Sequence, residues 1–243
     1  MQHWYERFGY DTDPLTSEPH HGDELVDVED LTEELFYRIE AGSIIFIEGE
    51  NGAGKTALLY QAIDRYRGHT KVIYFDSSNL KKTAEIDLLM KNRYGFFGRL
   101  FNRIPKDMIV LIDNVQSLSF KNAERVKFYF DQNYIKSLVF TGNNYNSTKL
   151  TPSIKDRIGT RIIKTRKISE SGALALLRTR LGEDQKLISD NIARKVYRLS
   201  NGNPKKFLDL SSQLCKHSLR TAKEVADKHF KAIFGDTRGR TMV

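Results

Sequence analysis

The chain has 243 residues, of which 40% are hydrophobic and 29% charged, and its formal net charge at pH 7 is +8. This length suits one α/β core with a small accessory domain. No apolar run approaches the length of a membrane span, no signal peptide is evident, and the single cysteine, Cys215, excludes an internal disulfide and is typical of a reducing compartment. We therefore expect a cytoplasmic protein with no membrane span.

The charge is distributed unevenly along the chain. Residues 1–41 hold twelve acids and two bases, so this segment carries −10 and the remaining residues carry +18. The strong positive charge of the residues after 41 favours binding to a polyanion, and nucleic acid is the usual polyanion. A solvated surface of Lys and Arg is the common alternative, so charge alone favours DNA only modestly.

The first predicted elements are an arm, a helix and a strand. Residues 1–27 form an arm with four aromatic residues among its first ten and many acids. Apolar residues at helical spacing predict a helix over 28–40, and the apolar run 43–47 predicts a buried strand.

A glycine-rich turn follows this strand and precedes a helix that is predicted from residue 57. The turn matches G-x-x-x-x-G-K-T, a phosphate-binding loop whose backbone N–H groups point at the phosphates. Lys55 can reach the β and γ phosphates of ATP, and the Thr56 hydroxyl can bind Mg²⁺. The predicted nucleotide-binding residues are Gly49, Glu50, Asn51, Gly52, Ala53, Gly54, Lys55, Thr56 and Ala57.

Residues 71–76 predict a second strand, and residues 80–104 are mostly helical in pattern, with breaks at Gly95 and Gly98. Within that stretch, residues 91–103 interleave bases with aromatic residues. Such a segment can bind phosphates and stack on nucleic acid bases. Packing of the aromatics in the core, with the bases exposed, is the favoured alternative.

The apolar run 108–112 predicts a third strand, which ends in Asp113 and Asn114. An acid at the carboxyl end of such a strand can hold Mg²⁺, although acids also begin turns. Many ATPases of this kind place Glu directly after the Asp, as the base for the attacking water. An amide can orient water but cannot accept its proton, so Asn114 predicts slow hydrolysis.

Two more strands and a series of helices complete the chain. The sequence predicts a helix near 121–132, strands over 137–143 and 160–164, and then helices only. Alternation of strands and helices implies a parallel P-loop β-sheet flanked by helices, an α/β fold, followed by a small helical lid. The predicted helices of the lid are 169–181, 185–200, 203–219 and 221–234, and the predicted domains are the arm (1–27), the α/β core (28–166), the lid (167–236) and a basic tail (237–243).

With these motifs the chain resembles the AAA+ ATPases, most closely the group of origin-recognition initiators, transposition regulators and secretion-pathway ATPases. The opening from Trp4 to Tyr10, followed by Asp13-Pro14-Leu15, is similar to the aromatic-Gly and Pro-Phe opening of the transposition and secretion ATPases. In those proteins the arm lies against the nucleotide base. An arm that only covers a hydrophobic core is an equally weighted alternative.

The resemblance implies two more residues at the γ-phosphate. Asn143 follows the fourth strand at the sensor 1 position, with Thr141 as second choice and an ordinary turn residue as the alternative. Arg157 precedes the fifth strand at the position of an arginine finger, which reaches the γ-phosphate of a neighbouring subunit. Arg161 competes for this role, and a surface salt bridge is the alternative for Arg157.

The segment Gly202-Asn203-Pro204-Lys205 resembles the Gly-Asn-Pro-Arg motif of sensor 2. Lys205 replaces the family's Arg, so a contact with the γ-phosphate would lack the fork of a guanidinium. Lys206 is the alternative sensor residue.

The resemblance implies an ATPase that uses ATP and Mg²⁺, forms a homo-oligomer through Arg157 in trans, and engages DNA. We expect the DNA contact to be non-specific and to come from the ATPase body, because no winged-helix domain fits after the lid. The alternative is a nucleotide-controlled switch that binds a protein client. A secretion-type ATPase is the least favoured possibility.

Overall fold

The structure is a computed structural model that describes residues 3–66, 72–79, 106–182, 187–219 and 222–235. The predicted helical stretch 80–104, its basic and aromatic segment 91–103 and the basic tail 237–243 lie outside these residues. The chain divides into two compact units. The α/β unit comprises His20–Asp23 and Val28–Arg166, and the helical unit comprises Met1–Pro19, Glu24–Asp27 and Lys167–Val243.

The α/β unit is built on a parallel sheet, which has five strands in the described parts of the chain. Their spatial order is β2-β3-β4-β1-β5, and every neighbouring pair is parallel. This arrangement confirms the predicted fold class. The strands are β1 (Ile44–Glu48), β2 (Val72–Asp76), β3 (Met108–Asp113), β4 (Ile135–Gly142) and β5 (Ile162–Lys164).

Burial explains why these segments form strands. All six residues of β3 are buried, as are the first four of β1 and seven of the eight in β4. Parallel strands that are covered on both faces read as continuous apolar runs, which is how the sequence predicts them. Because the strands run in the same direction, their carboxyl ends meet at one edge, where α/β proteins bind ligands.

In its described ranges, the α/β unit contains four α-helices. The first of them buries Leu31, Leu35 and Ile39, which are spaced four residues apart and so lie on one face. The helices are α1 (Glu29–Glu40), α2 (Lys55–Tyr66), α3 (Phe120–Asp131) and α4 (Pro152–Ile158).

The sequence did not predict α4. Thr151 caps its start by accepting a hydrogen bond from the Ile154 N–H, Pro152 occupies its first position, and Gly159 ends it with a φ of 53°. With only seven residues, the helix is too short to show a clear apolar period. The capping residues were therefore its only signal in the sequence.

The helical unit contains the predicted C-terminal helices, two of which begin later than expected. Short segments that precede these two helices pair with each other as a parallel bridge between Ile188 and Val225. In this bridge the Val225 N–H donates to the Leu187 carbonyl at 2.8 Å. No helix in the described residues is long and apolar enough to cross a membrane. The helices are α5 (Glu170–Leu181), α6 (Asp190–Ser200), α7 (Pro204–Ser218) and α8 (Asp227–Phe234).

Most of the N-terminal arm belongs to the helical unit, whereas its residues His20–Asp23 belong to the α/β unit. Trp4 and Leu15 are buried in its apolar core, and the Tyr10 hydroxyl donates to the Leu181 carbonyl. Cys215 is buried in the same core, and burial raises the pKa of its thiol. Trp4, Tyr10 and Leu15 of the arm therefore pack in the helical unit, while a contact of the arm with a nucleotide base stays a prediction.

Candidate nucleotide-binding site

The predicted phosphate-binding loop lies at the carboxyl edge of the sheet, between β1 and α2. Gly52 and Gly54 have φ values of 80° and 85°, which residues with a side chain rarely adopt. A Cβ atom at Gly49 would collide with the side chain of Thr165, whose backbone N–H donates to the Glu48 carbonyl at 2.8 Å. The glycines therefore permit the curvature of the loop and its close approach to Thr165, which directly follows β5.

Lys55 is the first residue of α2, and its side chain turns into the loop. Only 6% of the residue is exposed. Its Nζ donates to the carbonyls of Gly49 at 2.8 Å and Glu50 at 2.9 Å, and to Asn143 Oδ1 at 3.2 Å. Burial lowers the pKa of Lys55, and the charge of Asp113 partly opposes this shift. The ammonium is thus held inside the loop by neutral acceptors, which a phosphate can replace.

Asp113 ends β3, and its buried carboxylate accepts hydrogen bonds at both oxygens. Oδ2 accepts from the Thr56 hydroxyl at 2.6 Å and from the Tyr74 hydroxyl at 3.4 Å. Oδ1 accepts from the Thr141 hydroxyl and from the backbone N–H of Asn114, the latter at 3.0 Å. Apart from the adjacent Asn114, these donors lie on α2, β2 and β4, so the carboxylate joins the P-loop helix to the two strands beside β3.

Thr56 and Asp113 fit a magnesium site. Their side-chain oxygens lie 2.6 Å apart, and hydroxyl and carboxylate oxygens are hard ligands of the kind that Mg²⁺ prefers. Mg²⁺ usually takes one or two protein ligands and completes its shell with water and phosphate oxygens. In such a site Thr56 and Asp113 would hold the ion, which supplies charge to the β and γ phosphates.

Tyr74 is a residue of the site that the sequence interpretation missed. It lies on β2, and its ring contacts that of Tyr60 on α2 with centroids 5.7 Å apart. Burial and then the charge of Asp113 raise the pKa of its hydroxyl well above the usual range, so the hydroxyl stays a hydrogen-bond donor. The alternation of side chains along a strand, which puts Tyr74 and Asp76 on one face, was the available signal.

Asn114 follows Asp113 in the left-handed conformation, with φ 56° and ψ 48°. Its side-chain Nδ2 donates to Asp76 Oδ1 at 3.0 Å, and its carbonyl accepts from the Ser77 hydroxyl. Its Oδ1 accepts a long hydrogen bond of 3.4 Å from Gln116. The amide predicted to orient water is thus held by a carboxylate at the end of the neighbouring strand β2.

The two predicted sensor 1 candidates both lie at this site, in different places. Thr141 is fully buried, donates to Asp113 and accepts from the Asn114 N–H at 3.1 Å, so it supports the metal carboxylate. Asn143 follows β4, is exposed, and contacts Lys55 through Oδ1. The geometry therefore favours Asn143 over Thr141 as the residue that could reach a γ-phosphate.

Arg157 lies in the last turn of α4 and is exposed. Its guanidinium pairs with Asp131 at 3.0 Å and donates to the Ser153 hydroxyl at 2.6 Å. Arg161 instead donates to the carbonyls of Arg157 at 2.9 Å and Ile158 at 3.4 Å, which caps the end of α4. These contacts form the surface salt bridge that was one alternative for Arg157, and they do not test its role as an arginine finger. Arg161 has a local structural role at the end of α4.

Lys205 lies in the first turn of α7 in the helical unit. Its Nζ donates to the Ser17 hydroxyl at 2.8 Å and lies 3.8 Å from an Asp209 oxygen. Asn203 caps the helix by accepting from the Lys206 N–H at 3.0 Å. The predicted sensor 2 motif therefore begins a helix as expected, and the role of Lys205 at a phosphate stays a prediction.

Thr141→Val tests how far the site depends on one buried hydroxyl. At nearly constant volume, the variant removes the hydroxyl that donates to Asp113 and accepts from the Asn114 N–H, and these two buried groups keep only their hydrogen bond to each other. We therefore expect a loss of about 1–3 kcal/mol in the free energy of unfolding. Urea denaturation measures this loss. Thr160→Val, at an exposed threonine, is the matched control and should change stability by less than about 0.5 kcal/mol. Equal effects of the two variants would contradict the assigned role of Thr141.

Fold and site together define a P-loop protein of the ATPase class, with a phosphate-binding loop, a buried lysine and an acid at the end of the third strand. A family model described as an AAA domain matches residues 41–170, which is more than half of the chain. The chain therefore belongs to the AAA family, as the sequence motifs predicted. Members of this class bind a nucleotide through these motifs. No curated protein sequence matches the chain.

Solved structures of AAA+ proteins resemble the chain in fold. The Aeropyrum pernix ORC1 protein in complex with DNA is 18% identical with a TM-score of 0.71, over 86% of this chain and 65% of that one. Cdc6p of Pyrobaculum aerophilum is 15% identical with a TM-score of 0.70, over 91% and 70%. A Thermotoga maritima RuvB variant is 15% identical with a TM-score of 0.68, over 88% and 70%. The chain thus spans about two thirds of the length of ORC1, and these low identities show the fold alone.

Proposed function

We propose that this protein binds ATP with Mg²⁺ and hydrolyses it slowly. The observation that carries the proposal is the joint placement of Lys55 inside the loop and of Thr56 Oγ1 at 2.6 Å from Asp113 Oδ2. The first supplies a cation for the phosphates and the second a pair of magnesium ligands. The amide of Asn114, at the position where many relatives carry a glutamate base, is the reason for slow turnover.

The same proposal includes assembly through Arg157. A partly exposed ion pair such as that of Arg157 with Asp131 contributes about 1 kcal/mol or less to stability. The guanidinium can therefore leave Asp131 at little cost when a stronger anion is offered. A γ-phosphate in a neighbouring subunit is such an anion, and an arginine that reaches it offsets the charge of the transition state.

DNA is the partner that the charge distribution favours. The part of the chain after residue 41 carries +18, and the ORC1 structure that resembles it is a complex with DNA. Contacts of Lys and Arg with phosphates give affinity without sequence preference. We therefore propose that the ATP-bound oligomer engages duplex DNA non-specifically, in the cytoplasm.

Binding to DNA at several salt concentrations, with and without ATP, tests this function. We expect ATP to tighten binding, and affinity to fall by at least ~10²-fold between 50 and 200 mM salt, because phosphate contacts release counterions. Fluorescence anisotropy with two unrelated duplexes of equal length measures both effects, and the two duplexes should bind alike.

The control for this assay is an unrelated monomeric protein of equal net charge. If the chain binds DNA no better than that control and ATP changes nothing, DNA is not its partner. The slow turnover expected from Asn114 then favours the second function, a nucleotide-controlled switch for a protein client. The proposal of ATP binding would survive this outcome, because it rests on Lys55, Thr56 and Asp113 and not on the charge of the chain.

A further inference from the structure

The position directly after Asp113 holds an amide, so another group must take the proton of the attacking water if the protein hydrolyses ATP. Among the described residues, the carboxylate that contacts this amide is Asp76. Asn114 Nδ2 donates to Asp76 Oδ1 at 3.0 Å. A carboxylate therefore lies one hydrogen bond away from the side chain that occupies the usual position of the base.

The strand register places Asp76 on the correct face of the sheet. Asp76 and Asp113 are direct partners in the parallel pair of β2 and β3, so their side chains emerge on the same face. Tyr74, two residues earlier on that face, donates to Asp113 and contacts Tyr60 of α2. The face that carries Asp76 is thus the one covered by the helix that follows the phosphate-binding loop.

Asp76 is held by neutral donors. Oδ1 accepts from the Ser78 N–H at 2.9 Å as well as from Asn114. No Lys or Arg in the described ranges forms an ion pair with it. It is also only partly buried. A fixed, partly accessible carboxylate that accepts hydrogen bonds from neutral donors is suited to accept another from water.

We propose that Asp76 accepts the proton of the attacking water, and that Asn114 positions the Asp76 carboxylate and the water. This inference rests on the proposed ATP hydrolysis. The water oxygen bonds to the γ-phosphorus as its proton passes to Asp76. The bond from the γ-phosphorus to the bridging oxygen breaks, and its electron pair leaves with ADP. The proton on Asp76 then passes to the phosphate product.

Asp76→Asn in the full chain tests the proposal, because it keeps the shape of the side chain and removes its ability to accept a proton. We expect the steady-state kcat to fall by about 10²–10⁴-fold, with KM and the affinity for magnesium-ATP unchanged. The double variant Asp76→Asn with Asn114→Glu moves the carboxylate to the position after Asp113. Its kcat should be at least ~10-fold higher than that of Asp76→Asn alone. Glu33→Gln, at an exposed acid of α1, is the matched control and should not change kcat.

The outcomes separate this inference from the proposed function. If wild-type protein hydrolyses ATP and Asp76→Asn does so equally fast, Asp76 is not the acceptor, although the protein is still an ATPase. If Asp76→Asn loses the binding of magnesium-ATP, the inference is also overturned, because Asp76 would then help to bind the nucleotide and not accept a proton from water. Wild-type protein that binds no magnesium-ATP would overturn the proposed function and this inference together.

Discussion

Lys55→Ala should abolish measurable ATP binding while the protein stays folded. The ammonium of Lys55 is fixed inside the loop by the carbonyls of Gly49 and Glu50, so it is already placed for the phosphates. Charge-assisted hydrogen bonds contribute about 1.5–3 kcal/mol each, and the loss of two such bonds to phosphate corresponds to at least ~10²-fold in affinity. Isothermal titration calorimetry with magnesium-ATP measures the change.

The folded state should lose little in this variant. Burial lowers the pKa of Lys55, which shows that the folded protein is destabilised by desolvation of the ammonium. Alanine has no charge to desolvate, so its loss of the hydrogen bonds is partly offset. We expect the free energy of unfolding to change by about 1 kcal/mol or less, as measured in urea. Lys121→Ala, at an exposed lysine of α3, is the control for removal of a positive charge. A folded Lys55→Ala protein with wild-type affinity for ATP would refute the assignment of the loop.

The sequence predicted those parts of the site that depend on local pattern. The loop from Gly49 to Thr56 and the acid Asp113 each follow an apolar strand directly, so strand and site residue are visible together. Tyr74 and Asp76 were missed because their roles depend on the pairing of β2 with β3. That pairing joins residues 37 positions apart, Asp76 with Asp113, and no local pattern specifies it.

The arm and α4 show two other limits of the sequence. Aromatic residues at 4, 5, 8 and 10 predict burial, but they do not say which surface they cover, since several apolar surfaces accept the same side chains. Trp4 in fact packs in the core of the helical unit. The helix Pro152–Ile158 is specified by its caps more than by periodicity, because seven residues are too few to show an apolar period.

The contacts of the site also say what must change when a ligand binds. Thr56 donates to Asp113, and Lys55 donates to loop carbonyls, so both donors are already satisfied by protein acceptors. Magnesium-ATP must replace these bonds, and its affinity is the difference between new and old contacts. Thr141 donates to the other oxygen of Asp113, Oδ1, so this hydrogen bond need not break when Oδ2 exchanges its partner.

Arg157→Ala should leave ATP binding intact and lower turnover by about 10³-fold, the lower end of the effect of an arginine that stabilises phosphoryl transfer. The guanidinium contacts Asp131 and Ser153 of its own chain, and none of its described contacts is with Lys55, Thr56 or Asp113. Its loss therefore affects catalysis only if the residue acts on the nucleotide of another subunit. Calorimetry measures binding, and release of phosphate measures turnover.

Mixing Arg157→Ala with Lys55→Ala protein makes this prediction decisive, because neither variant alone has a complete site. In a head-to-tail assembly the first supplies an intact loop and the second an intact arginine, so an equal mixture should recover about a quarter of wild-type turnover. Arg161→Ala, which removes a neighbouring arginine that caps α4, is the control and should retain most turnover. If the mixture recovers nothing, or if Arg157→Ala hydrolyses ATP at the wild-type rate, Arg157 forms only a surface ion pair. The site would then be complete within one chain, and Arg157 would give no reason to expect an ATP-dependent oligomer.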